Sequence, residues 1–340
     1  MDSIYTITDF DPFTAGQQAW AGYALLLAIN ANSSSDLQNF QLTTRENFKR
    51  KHTRCRLIYD SATPVLAIQC HAKNPPVIDF AGKIPADDIS ANPGTELPLL
   101  ASAARSRVLF PHITAAIAQL MREQDSAATS FLTTTKDPAL QQILKNLHGV
   151  IINEIQYFKL HKGAANQSNI DRWINNKAIT TGEFTVAMHD YVPEHLYAPV
   201  AALMTELMNG IIRDDNQQQF AETAAGLQQK MTLFKDTGIS MPLFLLSDRH
   251  GQLAGLSFVL VHPDSAIAKQ ELTGITQKYR GRQLAFFLKA LAIRETFRRY
   301  PRIEILETNC YSANLPIIHI NQTMGYTLIE SALQFRVAHP

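Results

Sequence analysis

Thr273-Gly274-Ile275-Thr276-Gln277-Lys278-Tyr279-Arg280-Gly281-Arg282-Gln283-Leu284-Ala285 is the stretch whose reading decides the fold. Its first residues belong to a strand-like run from Ala268, its last ones open an apolar helix, and a basic turn bearing Gly281 joins them. A helix begins with backbone N–H groups that lack an intrahelical acceptor. The aligned peptide dipoles leave about half a positive charge there, so phosphate oxygens bind readily. Gly281 permits close backbone approach, and Arg280 and Arg282 add charge. An ordinary capped helix with two solvated arginines would carry the same residues, so the turn alone does not decide between the two.

Outward from this turn, Leu284, Phe287, Leu288 and Leu291 form one apolar stripe, and Phe286, Ile293 and Phe297 form a second. The pattern predicts a helix buried over much of its circumference, with Arg294, Arg298 and Arg299 on a solvated edge. A strand over Ile303–Glu307 follows, then Thr308-Asn309, a helix after Asn314 that stops at Met324-Gly325, and a last strand.

Arg280-Gly281-Arg282-Gln283-Leu284-Ala285, Glu307-Thr308-Asn309 and the run from Asn314 to Tyr326 together resemble the GNAT superfamily of acetyl-CoA-dependent N-acetyltransferases. That family's signature is (Gln/Arg)-x-x-Gly-x-(Gly/Ala) at a strand-to-helix turn. Ala285 fits its last position, whereas Gln283 stands where the family usually has glycine. The resemblance covers about Pro242 to Val337; before that it extends only to the order of elements.

The resemblance implies acetyl-CoA, or another acyl-CoA, as co-substrate and an amine of a small molecule or peptide as acceptor, attacking directly in a ternary complex. It implies a diphosphate held by Arg280, Gly281, Arg282, Gln283, Leu284 and Ala285. Its pantetheine arm would lie between two parted strands, against Ile275, Thr276, Asn309, Asn314 and Ile317. Asn314 is equally suited to capping the next helix.

Transfer requires a neutral amine, and Glu271 is the nearest carboxylate on the strand to serve as general base. A backbone N–H near Ile275 would meet the tetrahedral oxyanion. The family tyrosine that often protonates the departing thiolate falls on Asn321, whose amide can bond the sulfur but cannot act as an acid. Protonation would then come from water, Tyr311 or Tyr326, and Tyr326 beside Gly325 is expected in the core. Gln283 and Asn321 together motivate an alternative: a catalytically silent acyl-CoA-binding or regulatory module.

Upstream, the same order of elements occurs a first time. A strand at Ile4–Thr8, a helix at Ala15–Ile29 and a hairpin of Cys55–Tyr59 with Val65–Gln69 come first. A loop from Asn74 to Pro98 with room for one short strand, a helix from Leu99 to Leu120, a strand at Thr129–Thr133, a helix after Asp137-Pro138 and a strand from Val150 follow. The second copy runs through strand Glu183–Ala187, helices His195–Met208 and Ala221–Phe234, and strands Pro242–Leu246 and Leu253–Val261. Leu147-His148-Gly149 echoes Met324-Gly325. The expectation is an α/β (α+β) chain of two tandem GNAT-like domains, each a mixed, mostly antiparallel central sheet flanked by helices. Residues 1–162 would be a degenerate copy, 163–176 a linker and 177–340 the acyl-CoA-binding domain.

At 340 residues the chain is long for one core, consistent with two domains. Lys plus Arg (31) nearly balances Asp plus Glu (30), so no global field draws it to nucleic acid or an anionic membrane. Cys55, Cys70 and Cys310 have no C-x-x-C spacing, and no secretion signal or spanning helix is legible, so a cytoplasmic monomer or homodimer is expected. His189 and His195 flank a proline turn without zinc-ligand spacing, so no metal is expected. Cys310 lacks a histidine-linked nucleophile signature.

Overall fold

The structure, a computed structural model, describes residues 5–15, 17, 19, 20, 54–60, 63–71, 77–82, 113, 115–120, 123, 130–211 and 220–338. Most of the helix expected over 15–29 and most of that over 99–120 lie outside these residues. Positions 17, 19, 20, 113 and 115–120, which are described, are helical. The chain forms two compact units, one of 1–152 with 332–340 and one of 153–331.

In the first unit β1 (Tyr5–Asp9), β2 (Arg54–Asp60), β3 (Thr63–His71) and β4 (Val77–Gly82) pair antiparallel in sequence order. Strand β4 meets β5 (Ser130–Thr135) in parallel. Helix α1 (Pro138–Asn146) follows β5 and leads into β6 (Val150–His161). The far edge of β5 is closed by residues 333–338, from the last strand of the chain.

The second unit repeats this order. Strands β7 (Phe184–His189), β8 (Leu243–Asp248), β9 (Leu253–Val261) and β10 (Ile267–Ile275) pair antiparallel in sequence order. Strand β10 then meets β11 (Ile305–Tyr311) in parallel, and β11 pairs antiparallel with β6. Thus β6, ahead of the second copy in sequence, completes the second unit's sheet, and the terminal strand β12 (Thr327–Ala338) completes the first unit's.

Alternation along β8 builds two cores in this unit. Leu243 and Leu245 pack with α4 (Tyr197–Asn209) and α5 (Ala224–Asp236), helped by Leu256 and Phe258 of β9. Phe244 and Leu246 face the other way, toward α6 (Leu284–Arg299) and α7 (Leu315–Met324). Burying one Leu or Phe side chain contributes roughly 1.5–3 kcal/mol, so these two layers account for the sheet's fixed register.

The segment expected as linker is partly helical: α2 (Gln167–Ile174) occupies it, and the single turn α3 (Lys177–Thr180) follows directly. The Asn166 side chain caps α2 by accepting from Asn169 N–H at 3.2 Å. Ile170 is buried, and Trp173 stacks on Phe286 of α6 with ring centroids 4.2 Å apart. These apolar residues, spaced three apart, are the helical signal that the polar composition of 163–169 obscures.

Both copies end their last helix in one way. Gly325 closes α7 at φ 99°, and Tyr326 N–H reaches back to Asn321 O at 3.0 Å. His148 follows α1 at φ 57°, and Gly149 N–H reaches Leu144 O at 2.8 Å. The residue corresponding to Gly325 is therefore His148, one position earlier than the sequence echo suggests, and the shared feature is the left-handed stop.

Candidate functional site

The parallel pairing of β10 with β11 is short. It covers Ile267–Lys269 against Ile305–Glu307 and ends there, although β10 runs on to Ile275 and β11 to Tyr311. The last link is Thr308 Oγ1 donating to Gln270 O at 2.9 Å. Immediately beyond it, β10 departs from regular register with β9 between Gln270 and Leu272, which leaves Glu271 as the extra residue. The two strands therefore part into a gap bordered by backbone groups.

Strand alternation shows which groups border that gap. Thr276 N–H bonds Ala254 O of β9 at 2.9 Å, so it is spent on the ladder. Ile275 and Thr273 then present their N–H and C=O toward β11, and Ile275 O accepts from Arg280 Nε at 3.3 Å.

A cavity of about 430 Å³ fills the mouth of the gap and runs to the start of α6. Ile275, Arg280, Gly281, Gln283, Leu284, Ala285, Asn314 and Ile317 all line it. Three residues of that set stand apart. Thr276 is buried on the β9 side, and Asn309 lines a neighbouring cavity. Arg282 turns away: its guanidinium pairs with Glu183 at 3.1 Å and lies over Phe184.

The turn itself is shaped as an anion cradle. Gly281 has φ 80° and nothing would lie within 4 Å of an added Cβ, so glycine serves the backbone conformation and leaves open space. Gln283, the departure from the family glycine, takes φ 62°, the left-handed conformation that glycine adopts without cost. A non-glycine residue there stores roughly 1–2 kcal/mol of strain. A single helical turn at Gln277–Tyr279 precedes the cradle and is clasped from below. The Tyr279 hydroxyl donates to Asp248 at 2.5 Å, which holds that carboxyl below its usual range, and two backbone N–H groups of the β8–β9 turn add to the effect.

A second cavity, of about 390 Å³, adjoins the first: both are lined by Ile211, Leu272, Thr273, Asn314 and Ile317. Glu271 and Tyr311 border this second space. The Glu271 carboxylate is held by Lys269 at 2.9 Å. Asn314 makes no side-chain cap to α7, so of its two readings the cap is not the one realised. Tyr326 is core, as expected, with its hydroxyl donating to Gln270 Oε1 at 2.8 Å; burial pushes its pKa up.

Asn321 lines neither cavity. Its residue is 0% exposed, and neither its amide N nor its amide O has a hydrogen-bond partner. A buried, unpaired amide is costly, whereas leucine has comparable shape and nothing to satisfy. Asn321→Leu is expected to stabilise the fold by about 1–3 kcal/mol in denaturant titration. A loss of stability would show that this amide has a partner.

Sequence reasoning missed the floor of the second cavity. Gln270 Nε2 donates to Ser257 Oγ at 3.3 Å, and Ser257 and Thr273 hydroxyls are 2.8 Å apart. Lys289 of α6 also lines this cavity and is 1% exposed. The signal was legible: Lys289 sits between Phe286 and Ile293 on the second apolar stripe, where a charge is out of place. Burial lowers its pKa from 10.5 to about 7, against a small opposing effect of Cys310, whose own thiol burial pushes up to about 11. Among the described residues no group of three His, Cys, Asp or Glu could hold a metal ion, and no helix is long and apolar enough to cross a membrane.

No family model and no curated protein matches this chain by sequence. Solved structures do resemble it. A tandem GNAT protein from the clavulanic acid biosynthesis pathway superposes with TM-score 0.66, at 14% identity, over 99% of each chain. A GCN5-related N-acetyltransferase from Sphaerobacter thermophilus gives TM-score 0.53 at 8% identity, over 99% of this chain and 96% of that one. The glucosamine N-acetyltransferase region of a fungal multi-domain β-N-acetylglucosaminidase gives 0.57 at 9% identity, over 98% of this chain and 38% of that one. With the parted strands and the basic turn, these likenesses establish that the chain has the GNAT fold and that tandem GNAT proteins are among its structural relatives.

Proposed function

We propose that this protein is an acyl-CoA-dependent N-acyltransferase, with acetyl-CoA as the donor and an amine of a small molecule or peptide as the acceptor. The observation that carries this reading is the gap between β10 and β11, entered by one cavity from the Gly281 turn and opening into a second. In this reading residues 1–162 are a degenerate copy, and residues 177–340 supply the catalytic domain.

The diphosphate would sit on the first-turn N–H groups of α6, with Arg280 adding a charge that Arg282 does not. Pantetheine would add itself to the β10 edge through the N–H of Ile275 and the backbone groups of Thr273, which brings the thioester to the shared wall at Leu272 and Thr273. The acceptor amine, entering from the second cavity, would lose a proton to Glu271 directly or through water. Its lone pair then attacks the carbonyl carbon, a β10 backbone N–H meets the oxyanion, the C–S bond breaks and the new amide nitrogen gives up its extra proton to water. Tyr311, on the wall of the second cavity, is the candidate acid for the departing thiolate; Asn321 is enclosed elsewhere.

The test is release of free CoA from acetyl-CoA across a panel of small amines and peptide N-termini. Amine-dependent release is the expected result. Tight acetyl-CoA binding with no release by any amine would instead identify a silent acyl-CoA-binding module.

A further inference from the structure

Lys289 raises a question that acyl transfer alone leaves open. Its ammonium would be an unpaired charge inside the protein, and burial of such a charge is strongly unfavourable. The groups around it do not neutralise it. Tyr326 offers its ring face, 5.0 Å from Nζ, and the Cys310 thiol is itself kept protonated by burial. The remaining charges on the wall of the second cavity are already matched: Glu271 by Lys269, and Lys230 by Glu222. The same lining carries uncharged polar side chains, Asn309, Tyr311 and Asn314, beside apolar ones such as Met204 and Leu272. The cavity thus offers one buried amine with no anion, beside hydroxyl and amide groups able to orient one.

We propose that Lys289 forms a subsite for a carboxylate on the acceptor, so that the preferred substrates are amines that also bear an acid group, as amino acids do. The inference rests on the acyltransferase reading for the word acceptor, though the subsite itself does not depend on turnover. In the empty protein burial lowers the pKa of this lysine to about 7, so above that pH it is a neutral amine. When a carboxylate enters, the amine takes up a proton and the two form a charge-assisted pair within a low-dielectric pocket. The acid group is thereby anchored on α6 while the amine is free to face Leu272 and the thioester.

The experiment compares α- and ω-amino acids with their own carboxamides as acceptors, in the full-length wild type and in Lys289→Met. Wild type is expected to favour the acids by about tenfold or more in kcat/KM, a factor typical of one charge-assisted contact, and Lys289→Met is expected to lose that preference. Calorimetry with acetyl-CoA verifies that the variant is folded. A parallel titration, independent of turnover, uses CoA-loaded protein with N-acetylglycine and N-acetylglycinamide at pH 8 in buffers of different ionisation enthalpy. Proton uptake is expected with the acid only, and only when Lys289 is present. Turnover with equal use of acids and amides, or acid binding without proton uptake, would overturn the subsite. Absence of turnover with every amine while the proton-linked binding persists would overturn the acyltransferase reading and leave the subsite standing.

Discussion

Replacing Arg280 by Glu together with Gly281 by Asp is expected to weaken CoA binding at least about 100-fold, a loss of roughly 2.7 kcal/mol or more. The two changes act on the same place by different means. Arg280 lines the first cavity and its guanidinium is braced on Ile275 O, so reversal to Glu removes one favourable charge and adds an unfavourable one. Gly281 stands at φ 80° in open space, so Asp there meets no neighbour but carries backbone strain of about 1–2 kcal/mol and places a carboxylate where phosphate would lie. Arg282→Ala is the discriminating control. Its guanidinium is committed to Glu183 at a half-exposed site, and its loss should change CoA affinity by less than about fivefold, since such pairs are worth at most about 1 kcal/mol. Isothermal titration with CoA separates the outcomes, and equal sensitivity at 280 and 282 would refute the assigned geometry.

Lys289→Met is expected to stabilise the protein, and the gain should depend on pH. In the unfolded chain this lysine titrates near 10.5, and in the fold near 7. Between those values the unfolded state binds a proton that the folded state has released, so stability of the wild type rises with pH across that window. Below the lower value both states are protonated and the full burial penalty is present. The displacement corresponds to about 5 kcal/mol below pH 6, about 2 kcal/mol at pH 9, and nothing near 10.5. Denaturant midpoints of the two proteins should therefore converge as pH rises. A variant less stable than wild type at pH 6 would show that an anion already pairs with this lysine inside the fold.

The parts of the site that the sequence made legible are those set by local backbone rules. Gly281 in a basic strand-to-helix turn, and a helix running from Asn314 to a left-handed stop at Gly325, are short-range features with few alternative readings. What was not legible depends on partners far away in sequence. No local pattern says that β10 and β11 pair for three residues and then part, because that reflects the departure from register at Glu271 against β9. Nor does any local pattern reveal that β6 pairs with β11 while the terminal strand pairs with β5. Asn321 was read by counting from Asn314, and the count places a side chain along a helix without saying what covers it. Arg282 and Arg280 are alike on the page; Glu183, remote in sequence, draws one of them away.

In the proposed complex an acyl-CoA lies with its diphosphate at the Gly281 turn and its pantetheine arm between β10 and β11. A crystal structure of the full-length protein grown with acetyl-CoA measures this directly. Phosphate oxygens on the N–H groups opening α6, pantetheine amides bonded to Ile275 and Thr273, and the thioester beside Leu272 are the expected result. A coenzyme bound outside the gap, with β10 and β11 closed on each other beyond Thr308, would contradict it.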